Sequence, residues 1–129
     1  MIWHRNAVPP TTAEQERIDR MLAEIGCVLT YIKFRVHAPA ECHHITVGRK
    51  RLGHLYTIPL SCWYHRGVGE PKVPGKEMYQ KYGASLVDGS RAFFRDHCLT
   101  EMDLWIATQD LLGLPATLPS TKVLPRRLL

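Results

Sequence analysis

Apolar side chains recur at spacings of three and four through TTAEQERIDRMLAEI, residues 11–25, where Ile18, Met21, Leu22 and Ile25 fall on one face of a helix. Thr11 and Thr12 ahead of Glu14 and Gln15 form a capping box, in which a hydroxyl and a glutamyl-type side chain satisfy orphan backbone amides. Gly26 is placed to end this helix. From Cys27 to Val36 the pattern changes: CVLTYIKFRV is β-branched and aromatic with partial alternation, which predicts a strand. Ala38 to Ile45 leads through Pro39 into a second short strand. The stretch VGRKRLGH, with Gly48 and Gly53 around Arg49, Lys50 and Arg51, has the composition of an exposed loop. LYTIPLS reads as another strand, and Pro59 sets it at an edge or ends it early, because proline cannot donate to a sheet ladder.

Beyond Trp63 the segment RGVGEPKVPGKE is rich in Gly and Pro and predicts a loop, followed by a short polar helix at Glu77 to Tyr82. Asp88 is placed to cap a helix through Arg91, Ala92, Phe93, Phe94 and Arg95. Thr100 with Asp103 begins a last helix carrying Leu104, Ile106, Leu111 and Leu112, which Gly113 and Pro115 terminate. The resulting layout is α+β: an N-terminal arm over residues 1–10, one domain over 11–113 and a proline-containing tail over 114–129, extended or disordered. No internal repeat is present.

With 129 residues the chain can bury one core but not two. An apolar fraction of 45% with three Trp, five Tyr and three Phe is that of a globular protein rather than a disordered one. The formal charge of +5 favours an anionic partner such as a phosphate backbone. Met1 to Pro10 contains no apolar run of the signal-peptide kind, and no later stretch is long enough to span a bilayer, so a soluble, intracellular protein is expected. Cys27, Cys42, Cys62 and Cys98 are irregularly spaced, which points to thiols or metal ligands rather than a disulfide framework.

Potential ligands and bases are densest in ECHHIT, residues 41–46, and SCWYHRG, residues 61–67. They lie one hairpin's length of chain apart, so antiparallel pairing would bring them face to face. Adjacent histidines on a strand point to opposite faces, whereas at a strand end they diverge less, one ligating a metal while its neighbour activates water. His65, expected at the start of a helix after the hairpin, could complete the metal site. Such a set suits phosphodiester hydrolysis: a divalent ion stabilises the leaving oxygen while a neutral imidazole takes a proton from water. A lone HH dipeptide is more often an ordinary surface or core feature; here the second cluster, the hairpin pattern and the basic RKR loop raise the functional reading above it. Arg49, Lys50, Arg51 and Arg66, with Lys72, Lys76 and Lys81, form either a phosphate-contacting surface or a solvated basic face. His97 near a helix end is expected to meet carbonyl groups and the helix dipole, and His4 and His37 earn no role.

These residues resemble the HNH (ββα-metal, His-Me finger) domain of phage and prophage recombination-enhancement nucleases of the Ref type, which are RecA-dependent. The resemblance runs from TTAEQERIDRMLAEIGC through CHHI, GHLYTIPL and WYHRGVG to GASLVDGSRAFFRDHC and the terminal helix, and so covers most of the chain. It implies an HNH core with an N-terminal helix and C-terminal helices, and a metal-dependent DNA endonuclease or nickase linked to recombination. The cofactor so implied is Mg²⁺ or Mn²⁺ in catalysis, or Zn²⁺ bound in its place. The implied partners are DNA and a RecA-type recombinase filament or another host protein, in the cytoplasm of a bacterial host and without a membrane. By the same resemblance His43 looks like the ligand standing where other HNH nucleases have Asp, His44 like the general base, and His65 like the last HNH histidine, a metal ligand. The middle, Asn-like position falls near Tyr56 or His54.

Members of that family typically show Cys-x-x-Cys after the first helix and a PLC-x-x-HH element. This chain has Cys27 with Thr30, and PLSCWYH with Ser61 and Tyr64. A tetrahedral structural zinc needs four deprotonated Cys or His ligands, so Cys27 reads as a remnant and the structural zinc is expected to be absent. Cys62, with Cys27 and Cys42, is the alternative, rewired ligand set. Packing by Tyr31, Phe34, Trp63 and Tyr64 is the expected replacement for the metal. Loss of those ligands also motivates a second functional reading, a catalytically degenerate HNH-fold module that serves as a DNA-binding accessory or as a phage-encoded inhibitor of a host protein.

Overall fold

The computed structural model describes residues 8–117. Trp3 and His4, in the expected N-terminal arm, and the tail beyond Thr117 lie outside the described residues. Helix α1, Thr12–Arg20, starts as the sequence predicts: Thr11 Oγ1 accepts from the Glu14 amide at 3.2 Å while the Thr11 amide donates to Glu14 Oε1 at 2.8 Å. It runs on through a wider π-type turn, Met21–Ile25. Gly26 ends it at a φ of 67°, and a Cβ there would lie 2.4 Å from the Ala38 carbonyl oxygen, so only glycine fits.

The strand expected over Cys27 to Val36 is instead helix α2, Val28–Phe34. Cys27 acts as its N-cap, with Sγ accepting from the Thr30 amide at 3.4 Å, and Val28, Leu29 and Thr30 are buried at consecutive positions. Consecutive burial is what a helix wedged between other elements requires, and it overrides the β-propensity of the individual side chains. Strand β1, Glu41–His44, then pairs antiparallel with β4, Thr57–Leu60, in the register Glu41 to Leu60, Cys42 to Pro59, His43 to Ile58 and His44 to Thr57. Pro59 is tolerated because neither strand has a further partner among the described residues. The RKR segment is not a plain loop: β2, Thr46–Val47, and β3, Lys50–Arg51, form a small hairpin that holds the cations up in solvent.

Helix α3, Cys62–Arg66, follows β4 directly, with Ser61 as N-cap. His65 therefore sits in the last turn of this helix rather than at its start. Helix α4, Gly75–Tyr82, a 3₁₀ turn at Leu86–Asp88, helix α5, Ser90–His97, and helix α6, Glu101–Leu112, complete the chain. Asp88 does not cap α5; its carboxylate accepts from the Ser85 amide at 2.9 Å and closes the 3₁₀ turn, leaving Gly89 at the α5 N-cap. Thr100 and Asp103 form the expected capping box of α6. No helix among the described residues is long and apolar enough to cross a membrane.

The core gathers Met21, Leu29, Ile45, Ile58, Leu60, Phe93, Leu104 and Trp105 between the helices and the β1–β4 pair. Arg17 is buried in it without a carboxylate partner among the described residues. Its guanidinium donates to Gln109 Oε1 at 2.7 Å, Thr57 Oγ1 at 2.8 Å and the Thr57 carbonyl at 3.1 Å. One side chain thus ties α1, β4 and α6 together, and neutral acceptors replace the water lost on burial.

Candidate active site

Side chains alternate between the two faces of β1, so Glu41 and His43 share one face while Cys42 and His44 share the other. On the first face the His43 ring stands edge-on to His65 of α3, centroids 4.9 Å apart. His43 Nε2 lies 2.5 Å from Glu101 Oε1, the first residue of α6. A carboxylate only accepts, so Nε2 carries the hydrogen. Glu41 Oε1 accepts from Arg66 Nε at 2.7 Å and lies 3.4 Å from His65 Nδ1. The second approach is too poorly directed for a hydrogen bond, and His65 Nδ1 is buried without a partner among the described residues. The hydrogen bond from Arg66 holds the Glu41 carboxyl below its ordinary range, and burial, with the adjacent His43, does the same to His65.

On the opposite face His44 Nε2 lies 3.1 Å from His54 Nδ1, and His54 Nε2 lies 2.5 Å from the Val8 carbonyl oxygen. The carbonyl fixes the direction of this chain. His54 donates through Nε2; in its uncharged ring Nδ1 then accepts from His44 Nε2, which leaves the His44 lone pair on Nδ1. Burial, followed by Arg51 and the neighbouring histidines, lowers His44 to about 4. It is an uncharged imidazole at neutral pH.

The structure thus brings His43 and His65 together, while His44 faces the other way with His54. Between the two residues named for the middle position, His54 is the one that touches His44. Tyr56 stacks on Trp105 at 4.9 Å and donates to the Thr117 carbonyl. Sequence reasoning missed Glu41, although it sits two residues before His43 with the alternation that would place it on the same face. It also missed Glu101, 58 residues away from its partner, which reads in sequence only as the first residue of a capped helix.

Arg49, Lys50 and Arg51 are exposed on the β2–β3 hairpin. Their side chains make no hydrogen bond or ion pair among the described residues, whereas Arg66 is already engaged by Glu41. Cys27 and Thr30, and likewise Ser61 and Tyr64, sit at the N-cap and third position of α2 and α3, where the cap atoms accept from the Thr30 and Tyr64 amides. Trp63 and Tyr64 are buried as expected. Phe34 is 42% exposed and lines one cavity with Thr30, Ser61, Cys62, Trp63 and Tyr64, whereas Tyr31 is half-buried against the Arg35 guanidinium. Cys62 is exposed, Cys42 half-buried and Cys27 buried.

His43, His65, Glu41 and Glu101 provide imidazole nitrogen and carboxylate oxygen, donors suited to Mg²⁺, Mn²⁺ or Zn²⁺. As placed, no three His, Cys, Asp or Glu side chains among the described residues converge to hold an ion. The orphaned His65 Nδ1 is nevertheless the kind of buried polar atom that ligation would satisfy. The donor set fits a divalent cation.

Compared with protein-family models, residues 11–113 match the one described as recombination enhancement, RecA-dependent nuclease. No curated protein matches the chain.

Proposed function

The chain belongs to the recombination-enhancement, RecA-dependent nuclease family, and on that premise we propose that it is a metal-dependent, HNH-type DNA endonuclease or nickase encoded by a phage or prophage. The observation that carries this reading is the directed chain from His44 through His54 to the Val8 carbonyl, which leaves a neutral imidazole lone pair on the residue next to His43, across β1 from the His43–His65 pair. His44 Nδ1 takes the proton of the attacking water, and His54 holds the ring in the tautomer that makes this possible. His43 and His65 would hold the cation, with Glu41 and Glu101 as the adjacent carboxylates. When bound, such an ion acts as a Lewis acid that offsets charge on the phosphate and leaving oxygen. Arg49, Lys50 and Arg51 contact phosphates and add affinity without reading sequence. Arg66 reaches the same backbone only if it leaves Glu41.

Purified protein is expected to nick plasmid DNA with Mg²⁺ or Mn²⁺ in the cytoplasmic pH range, more strongly when a RecA-type filament is present. His44→Ala should lower the rate by roughly 10²- to 10⁴-fold. An unchanged rate in that variant would remove His44 as the base. Absence of cleavage across metals, DNA forms and filaments would favour the second reading, a degenerate HNH-fold interaction module, to which the engagement of His43 by Glu101 lends support.

A further inference from the structure

A cavity of about 340 Å³ opens beside the histidine site, between α5 and the start of α6. Leu86, Phe93 and Leu99 give it an apolar floor, and Arg91, Phe94 and Glu101 stand around it. Glu101 is the shared wall: its carboxylate holds His43. Its size falls within the range of roughly 300–1,000 Å³ found for small-molecule sites.

Two side chains of α5 distinguish this cavity from a packing defect. Phe94 is 51% exposed and lines the cavity, so part of its ring is open to a ligand there. Arg91, three residues earlier and so on the same side of the helix, is exposed and makes no hydrogen bond or ion pair among the described residues. The contrast with its neighbour is direct, because Arg95 is paired with Asp96 at 3.0 Å. An open ring, an uncommitted guanidinium and an apolar floor are the elements that recognise an unstacked nucleobase with its anionic phosphate: the ring offers a π-face and the cation neutralises the backbone. A paired base inside a duplex cannot present its face in this way.

Resting on the nuclease reading above, we propose that the α5–α6 cavity is a subsite for one unpaired nucleotide flanking the scissile phosphate, with Phe94 stacking on the base and Arg91 on the adjoining phosphate. The occupied nucleotide then lies against Glu101 and so next to His43. The cations Arg49, Lys50 and Arg51 on the β2–β3 hairpin, which follows β1 in the chain, offer further phosphate contacts for the same strand.

The test is fluorescence anisotropy of the full chain with a labelled single-stranded oligonucleotide and with its duplex, at several salt concentrations, for wild type, Phe94→Ala, Phe94→Tyr and Arg91→Ala. Phe94→Ala should weaken single-strand binding by roughly ten-fold, with an unchanged salt slope and unchanged duplex binding. Phe94→Tyr should restore it, and Arg91→Ala should reduce the salt slope by about one phosphate contact. Both residues are exposed, so the variants should fold, which circular dichroism would check. Wild-type single-strand affinity in both alanine variants overturns the subsite while leaving the nuclease reading intact, and a peptide-binding role for the cavity would give that same result. A wild-type protein that binds no single strand, bare or in a RecA-type filament, overturns the subsite, and one that also cleaves no DNA with the filament present overturns both.

Discussion

The histidines of this molecule fall into two regions that treat the same side chain differently. His97, on the inner face of α5, has both ring nitrogens committed: Nε2 donates to the Ala84 carbonyl at 2.8 Å and Nδ1 accepts from Lys33 Nζ at 3.0 Å. The rings of Phe93 and Tyr64 pack on it at 4.6 and 5.3 Å. In the β1–α3 region, by contrast, His65 Nδ1 is buried with no hydrogen-bond partner among the described residues, its nearest carboxylate being Glu41 at 3.4 Å, and the His44 lone pair is left outside the hydrogen-bonded chain. A fully satisfied imidazole is a neutral, shaped packing element, whereas an incompletely satisfied one still has bonding capacity for water, a cation or a substrate. The comparison therefore separates a histidine committed to packing from those proposed for chemistry, and each region predicts a different phenotype when cut.

The largest effect should come from His97→Ala, which removes a buried ring, orphans the Ala84 carbonyl and frees Lys33. We expect a loss of roughly 3 kcal/mol, read as a shift of the denaturation midpoint, with the nicking rate per folded molecule kept. The opposite phenotype, stable protein with lost nicking, would place His97 with the chemical histidines.

A pH series sharpens the same contrast. Burial lowers His97 below its ordinary value of 6.5, with Lys33 acting in the same direction and Asp96 and the Ala84 carbonyl opposing it. The unfolded chain therefore binds a proton at a pH where the folded one does not, so the His97 contribution is fully present above 6.5 and is lost as pH falls through the folded value. Burial depresses His44 and His65 too, with the same sign. Subtracting the curve of His97→Gln from that of wild type cancels their share. A flat difference between pH 8 and about 5 would contradict the burial argument.

Much of this arrangement could be read from the chain, and the part that could not has physical causes. The capping boxes at Thr11 and Thr100, the stop at Gly26 and the short strands over ECHH and TIPL are local signals, since cap chemistry and alternation act over a few residues; the pairing expected to set ECHHIT against SCWYHRG instead joins ECHH to TIPL, and SCWYHRG folds as α3. The failure at CVLTYIKFRV comes from tertiary packing: consecutive burial of Val28, Leu29 and Thr30 behind a cysteine cap selects a helix that propensity disfavours. His43, His44 and His65 stood out by their density, but their division between two faces depends on strand register. Glu101 was invisible because a long-range carboxylate partner leaves no periodic trace. The role of His97 was half legible: it does meet a carbonyl, yet one on a distant turn, and it is held at a spacing that leaves no room at Gly83, where a Cβ would lie 2.9 Å from its ring.

The smallest effect tests the element the two regions share. Helix α3 turns Trp63 and Tyr64 toward the His97 side, where Trp63 Nε1 donates to the Gly83 carbonyl and Tyr64 Oη to the Tyr82 carbonyl, both at 3.0 Å, and turns His65 toward His43, in the proposed active site. Tyr64→Phe keeps the ring against His97 but removes one hydrogen bond, leaving the Tyr82 carbonyl with Lys33 Nζ at 3.4 Å. The expected cost is about 1 kcal/mol by denaturant titration. Nicking should be unchanged, because His65 is placed by the α3 backbone, which the Ser61 cap and the Trp63 anchor still fix. A fall in nicking beyond the loss of folded protein would mean that His65 depends on the Tyr64 hydrogen bond for its position. The five-residue helix would then transmit packing from the satisfied histidine to the reactive ones.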